Sequence, residues 1–202
     1  MKKLLILFFI AFFVISIPLF SQQEFLFRGL PWGATPEQVK AKEGEPGKRS
    51  TDGVKSEFFS YQGKPVAGRA ANLTMRFITD KGLTDAAYSF SFQKKYLMAN
   101  EPNPTEPINI YVELKEKLIS LYGQPKQTDS LSKITGGIST LMAQQYRNNL
   151  PYLAWWEVND TRIYLSLNFS EYDQFYALYL NYISKPLWNT VAGYYSDSTD
   201  GL

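Results

Sequence analysis

Two carboxylate pairs come closest, by type and spacing, to doing chemistry in this 202-residue chain. Glu43 and Glu45 flank an expected helix end, and Glu171 and Asp173 share an expected turn. Paired carboxylates at a suitable separation hydrolyse glycosides as acid with base or nucleophile. Both pairs also read as solvated polar punctuation, the commoner role of acidic residues. The chain has no His and no Cys, which removes imidazole bases, thiol nucleophiles, Cys/His zinc sites and disulfides. No glycine loop sits between a strand and a helix with a following Lys-Ser/Thr, so no phosphate cradle is expected. Gly136-Gly137-Ile138-Ser139 reads as a flexible loop ahead of a strand. Asp197 and Asp200 match part of a calcium loop without its other ligands. The expectation is no catalytic residue, no metal and no cofactor. Asn72-Leu73-Thr74, Asn159-Asp160-Thr161 and Asn168-Phe169-Ser170 match the glycosylation acceptor pattern, which also arises by chance.

Binding is the better-supported chemistry. Side chains alternate between the two faces of a strand. If Trp156, Ile163, Leu165, Leu167 and Tyr176 point into a core, parity puts Trp155, Tyr164 and Tyr179 on the opposite face. Aromatics clustered on an open sheet face mark a partner site. The competing reading is that a helix, the tail or the other half of the molecule covers them. Trp32, beside an expected helix cap, is expected to pack the first helix onto the sheet.

The elements that would position these residues follow from period and punctuation. Glu24 to Arg28 reads as an edge strand. Thr35-Pro36-Glu37-Gln38 is a helix start, with Thr35 as cap, Pro36 at the first position and Gln38 completing a capping box. Gly44 and Pro46 end that helix. From Glu57 to Gln93 the period is two: Phe59 and Tyr61, then Leu73, Met75 and Phe77, then Tyr88, Phe90 and Phe92. Gln62-Gly63-Lys64-Pro65 reads as a loop and Asp80-Lys81-Gly82 as a hairpin turn. Pro102, Pro104 and Pro107 mark a linker. Tyr111, Leu114, Leu118 and Leu121 recur at helical spacing, with Glu113 and Lys117 one turn apart; Gly123 and Pro125 end that helix. Gln124 to Gly137 is a polar loop and Ile138 to Arg147 a weak strand. Tyr152 to Val158, Thr161 to Ser170 and Phe175 to Ile183 are three strands with tight turns between them.

The N-terminus reads as an export signal: Lys2 and Lys3, then apolar residues from Leu4 to Phe20, then Ser21. An uncleaved membrane anchor is the alternative, and the only membrane contact foreseen. Without Lys2 and Lys3 the chain has 19 basic and 19 acidic residues, so neither nucleic acid nor an anionic surface is expected as a partner. The organisation expected is 1–21 signal peptide, 24–97 first helix/strand unit, 98–107 linker, 108–184 second unit, and 185–202 flexible tail. Each unit has a helix, then Gly-x-Pro (Gly44-Glu45-Pro46, Gly123-Gln124-Pro125), then antiparallel strands, and Leu73, Met75 and Phe77 align on Leu165, Leu167 and Phe169.

Pro31-Trp32-Gly33-Ala34-Thr35-Pro36-Glu37-Gln38-Val39 followed by Gly44-Glu45-Pro46 resembles the helix start of small bacterial envelope proteins. These are the outer-membrane assembly lipoproteins of the SmpA/OmlA type and the β-lactamase inhibitor proteins, the latter with two such units in tandem. The resemblance implies short helical segments on an antiparallel sheet, and it carries over no functional residue. The expected fold is α+β, with two tandem helix-plus-meander units packed as one domain. The expected function is an exported, non-enzymatic module binding a protein or another envelope component. The alternatives are a carrier or sensor of a small apolar ligand between helix and sheet, and a carboxylate-based hydrolase.

Overall fold

A computed structural model describes residues 24–52, 55–98 and 100–187. The expected signal segment and the tail beyond 187 lie outside them. The fold is α+β. Helix α1 (Pro36–Glu43) leads into strands β1 (Lys48–Thr51), β2 (Ser56–Val66), β3 (Arg69–Ile78) and β4 (Gly82–Phe90). A small ribbon, β5 (Tyr96–Met98) and β6 (Glu101–Pro102), precedes helices α2 (Thr105–Tyr122) and α3 (Thr140–Asn148). Strands β7 (Tyr152–Val158), β8 (Thr161–Ser170) and β9 (Phe175–Ser184) complete the fold.

Seven strands form one sheet in the order β1-β2-β3-β4-β9-β8-β7. The two meanders meet at their last strands, β4 and β9, which run antiparallel with Tyr88 opposite Leu180. Leu73 flanks that pair on one side and Leu165 on the other. The sheet is continuous because neither meander alone has enough strands and covering helix to bury its apolar face.

All three helices lie on one face. Tyr61, inward on β2, donates its hydroxyl to the Gly44 carbonyl at the end of α1, 3.2 Å away. Trp156, inward on β7, donates its Nε1 to the Gly123 carbonyl at the end of α2, 2.9 Å away. Tyr152 does the same for α3 through the Tyr146 carbonyl at 3.0 Å. Beneath them Phe59, Leu73, Met75, Ile163, Leu165 and Leu167 are fully buried in a single core.

The Thr35 capping box forms as expected, and the three C-terminal strands start and pair as the alternation requires. Other expectations change. Thr140–Asn148, overlapping the Ile138–Arg147 segment read as a strand, is a helix: Ser139 caps it by accepting from Met142 N at 3.3 Å, and only Ala143 is buried. Gln62-Gly63 is a bulge inside β2, and the turn to β3 sits at Ala67-Gly68, both at positive φ. Glu24–Arg28 is not an edge strand: Phe27–Leu30 forms a tight turn in which Leu30 N donates to Phe27 O at 2.9 Å. Leu121 does not join its helical stripe in the core but is 72% exposed. Glu113 pairs with Arg69 and Lys133, while Lys117 donates to the Ala67 carbonyl. Within the segment read as a linker, Glu101–Pro102 pairs with β5 and α2 begins at Thr105.

Asp160, at the β7–β8 hairpin tip, ties down both ends of the described chain. Its side chain accepts from Phe25 N at 3.2 Å and its carbonyl from Lys185 N at 2.7 Å.

Candidate functional site

Residue order along the strands dictates what the helix-free face presents. One row across the whole sheet reads Trp155, Tyr164, Asn181, Ala87, Thr74, Ser60 and Lys48. The next reads Leu153, Ser166, Tyr179, Ser89 and Asn72. The third holds the charges, and they are paired: Arg162 with Glu157 at 3.2 Å and Arg76 with Asp85 at 2.7 Å. Burial pushes the Asp85 carboxyl upward against the pull of Arg76 and Thr84. The centre of the face is therefore aromatic and neutral-polar, with ion pairs along one border.

Trp155, Tyr164 and Tyr179 all lie on this face. Trp155 and Tyr164 are direct cross-strand partners, and their rings stack at 6.1 Å and 26°. The Trp155 indole N–H donates to Gln127 Oε1 at 3.2 Å, and on the outer edge of β7 Lys126 N donates to the Trp155 carbonyl while Trp155 N donates to the Gln127 carbonyl. Tyr179 stands one row over, on the neighbouring strand, and is 37% exposed. No helix covers these three among the described residues. Trp32 packs inward as expected: it stacks on Phe27 at 6.1 Å and donates to Thr161 Oγ1 at 2.7 Å.

In the first carboxylate pair, Glu45 is exposed while Glu43 is committed to ion pairs. Glu43 accepts from Arg28 Nε at 2.6 Å and Lys64 Nζ at 2.8 Å. Burial alone would raise its carboxyl, but these two cations outweigh burial and hold it below its ordinary value. A group held ionised cannot serve as a general acid near neutral pH. Glu171 and Asp173 sit exposed in the β8–β9 turn, where Asp173 N donates to Ser170 Oγ at 3.3 Å. Among the described residues no group of three or more acidic side chains could hold a metal ion; Asp197 and Asp200 lie outside them.

Two features escaped sequence reasoning. The loop after α2 is anchored by a buried polar triad. Asp129 accepts from the Tyr111 hydroxyl and from Lys115 Nζ at 2.8 Å, and Lys115 also donates to the Leu131 carbonyl at 3.1 Å. Burial and the adjacent carboxylate push the Tyr111 hydroxyl well above its ordinary range. The signal was a Tyr and a Lys one turn apart on the buried stripe of α2. Ser130-Leu131-Ser132-Lys133 has the spacing of serine–lysine hydrolases, yet it lies in irregular chain and Lys133 pairs with Glu116 at 3.5 Å.

No protein-family model matches the sequence, and no curated protein matches it. Among solved structures it is similar to a 1.5 Å crystal structure of an extracellular protein containing an SCP domain from Bacillus anthracis str. Ames. The identity is 14% and the TM-score 0.36, over 78% of this chain and 45% of that one. At that level the likeness carries no argument about function. No helix among the described residues is long and apolar enough to cross a membrane.

Proposed function

We propose that this chain is an exported, non-enzymatic interaction module of a bacterial cell envelope that grips a protein partner through the helix-free face of its sheet. The observation that carries the proposal is the Trp155–Tyr164 stack beside exposed Tyr179 on a face of Ser, Thr and Asn. Binding surfaces concentrate rigid aromatics among small adaptable polar residues and keep unpaired charge out of the centre. Six strand spacings of ~4.8 Å make the sheet roughly 29 Å wide, and five residues along a strand span roughly 17 Å. That footprint of about 500 Å² before side-chain relief supplies most of the ~800 Å² per partner in a standard interface. Export rests on the Lys-Lys, apolar, Ser order of residues 2–21. The resemblance of residues 31–46 to envelope proteins points the same way. Between α2 and the sheet, Leu114, Leu118, Leu165, Leu167 and Leu178 are each at most 4% exposed, so an apolar cargo there would have to displace core.

The test is affinity capture of the full-length chain from its native envelope, with mass spectrometry of protein and lipid, beside a Trp155→Ala/Tyr164→Ala/Tyr179→Ala variant. A discrete protein retained by the native face and lost by the variant, with the variant's thermal midpoint nearly unchanged, is the expected result. A discrete lipid without protein would favour the carrier. A large loss of stability would show that the three aromatics are core.

A further inference from the structure

The sheet contains a gap. Pairing between β4 and β9 runs from Asp85↔Ile183 to Phe90↔Leu178 and stops. Strand β9 nevertheless continues for Phe175, Tyr176 and Ala177, held on its other side by β8 as far as Ser170↔Phe175. Beyond Phe90 the chain peels away toward the β5–β6 ribbon. Among the described residues no other strand or turn bonds to the β9 backbone at 175–177. Backbone donors and acceptors left facing a cleft demand partners. Two adjoining clefts of about 230 and 290 Å³ occupy the gap and share Phe92, Lys94, Phe175 and Tyr176. The larger one reaches Tyr179, so the gap opens onto the aromatic face. Tyr176 is 5% exposed, and among the described residues its hydroxyl has no hydrogen-bond partner. Lys95 is paired with Glu106 at 3.3 Å, whereas Lys94 forms no ion pair among the described residues.

We propose that this gap receives an extended peptide segment of the partner, which pairs with β9 at Phe175–Ala177 as an added strand. Phe92 and Phe175 take its apolar side chains, and Lys94 selects an acidic residue among them. Strand addition draws affinity from main-chain hydrogen bonds and specificity from pockets for alternate side chains. The site rests on the reading of the chain as a protein-binding module and adds the shape and charge of what it binds.

The test uses the full chain and a fluorescein-labelled octapeptide alternating valine with aspartate, read by fluorescence anisotropy. Binding is expected, weaker by about fivefold when lysine replaces aspartate, as an exposed charge pair allows. N-methylation of alternate peptide amides is expected to abolish it, and Lys94→Glu to invert the charge preference. No binding at millimolar peptide, equal binding of the N-methylated form, or indifference to Lys94→Glu overturns the proposal. Phe175→Ser serves as a second variant, on the solvent side of β9, and is expected to weaken the peptide while leaving the thermal midpoint unchanged. Partner capture that persists with no peptide binding sinks this site alone. Capture that is indifferent to the Trp155/Tyr164/Tyr179 variant sinks the face reading, whatever the peptide does.

Discussion

Asp129 accepts from Tyr111 and Lys115, the latter only 8% exposed at its side chain, so each member of the triad depends on the others. Removing one partner of a buried pair leaves a charge without compensation, at on the order of 3 kcal/mol. Asp129→Asn is expected to lower stability by about that much in urea unfolding, and Lys115→Met with Asp129→Leu and Tyr111→Phe, which leaves no member of the triad unpaired, to recover most of it. A change below about 0.5 kcal/mol for the single variant would show that the loop is held by other means. Glu43 gives a pH dependence of definite sign. Its folded value lies below the ordinary 4.5, so its contribution is present above the unfolded value and fades as pH falls through the folded one. The thermal midpoint of the native chain should therefore exceed that of Glu43→Gln at about pH 7, and the gap should narrow as pH falls below the ordinary carboxylate value of 4.5. A gap that stays constant over that range would mean the Arg28–Glu43–Lys64 cluster contributes through shape alone.

The elements differ in how far sequence could locate them, and burial explains why. Strand β9 buries every second residue and β8 does so from Thr161 to Leu167, so their alternation is plain to read. Helix α3 buries only Ala143 fully and leaves Leu141 77% exposed, with Tyr146 half-buried against the core; nine residues give its helical period too few turns to stand apart from a strand's. Strand β1 is exposed at all four positions and shows no alternation. The β2 bulge hid the turn because Gln62-Gly63-Lys64-Pro65 carries Gly and Pro together, while the real turn, Ala67-Gly68, has a glycine alone. The aromatic face followed from strand parity alone. The gap beside Phe175 did not, because it depends on where β4 parts from β9, a tertiary fact. Two substitutions act at this scale. Ser139→Ala removes the cap of α3 and is expected to cost about 1 kcal/mol, seen as faster hydrogen exchange at residues 140–143. Gly82 sits at φ 70, and a Cβ there would fall against the Gly33 carbonyl. Gly82→Ala is therefore expected to cost more than about 2 kcal/mol in denaturant unfolding.

Across the whole molecule, one core and one sheet bind the two meanders together. Phe27 and Phe25, ahead of the first helix, pack on Tyr182 of the last strand with ring centroids 5.1 and 5.9 Å apart. Neither unit can lose its fold without exposing the central β4–β9 seam. Unfolding is expected as a single transition, with tryptophan fluorescence and far-ultraviolet circular dichroism coincident in guanidinium. Separate midpoints would show that the seam is weaker than either unit. Asp160 gives this unity a practical corollary. Because one hairpin tip holds both Phe25 and Lys185, a short loop could join the two ends of the described chain, and fresh ends could be cut at Ala67-Gly68. Such a circular permutant keeps every strand pairing and moves any attached label to the opposite rim of the sheet, so a surface-tethered domain could be presented to its partner from either side.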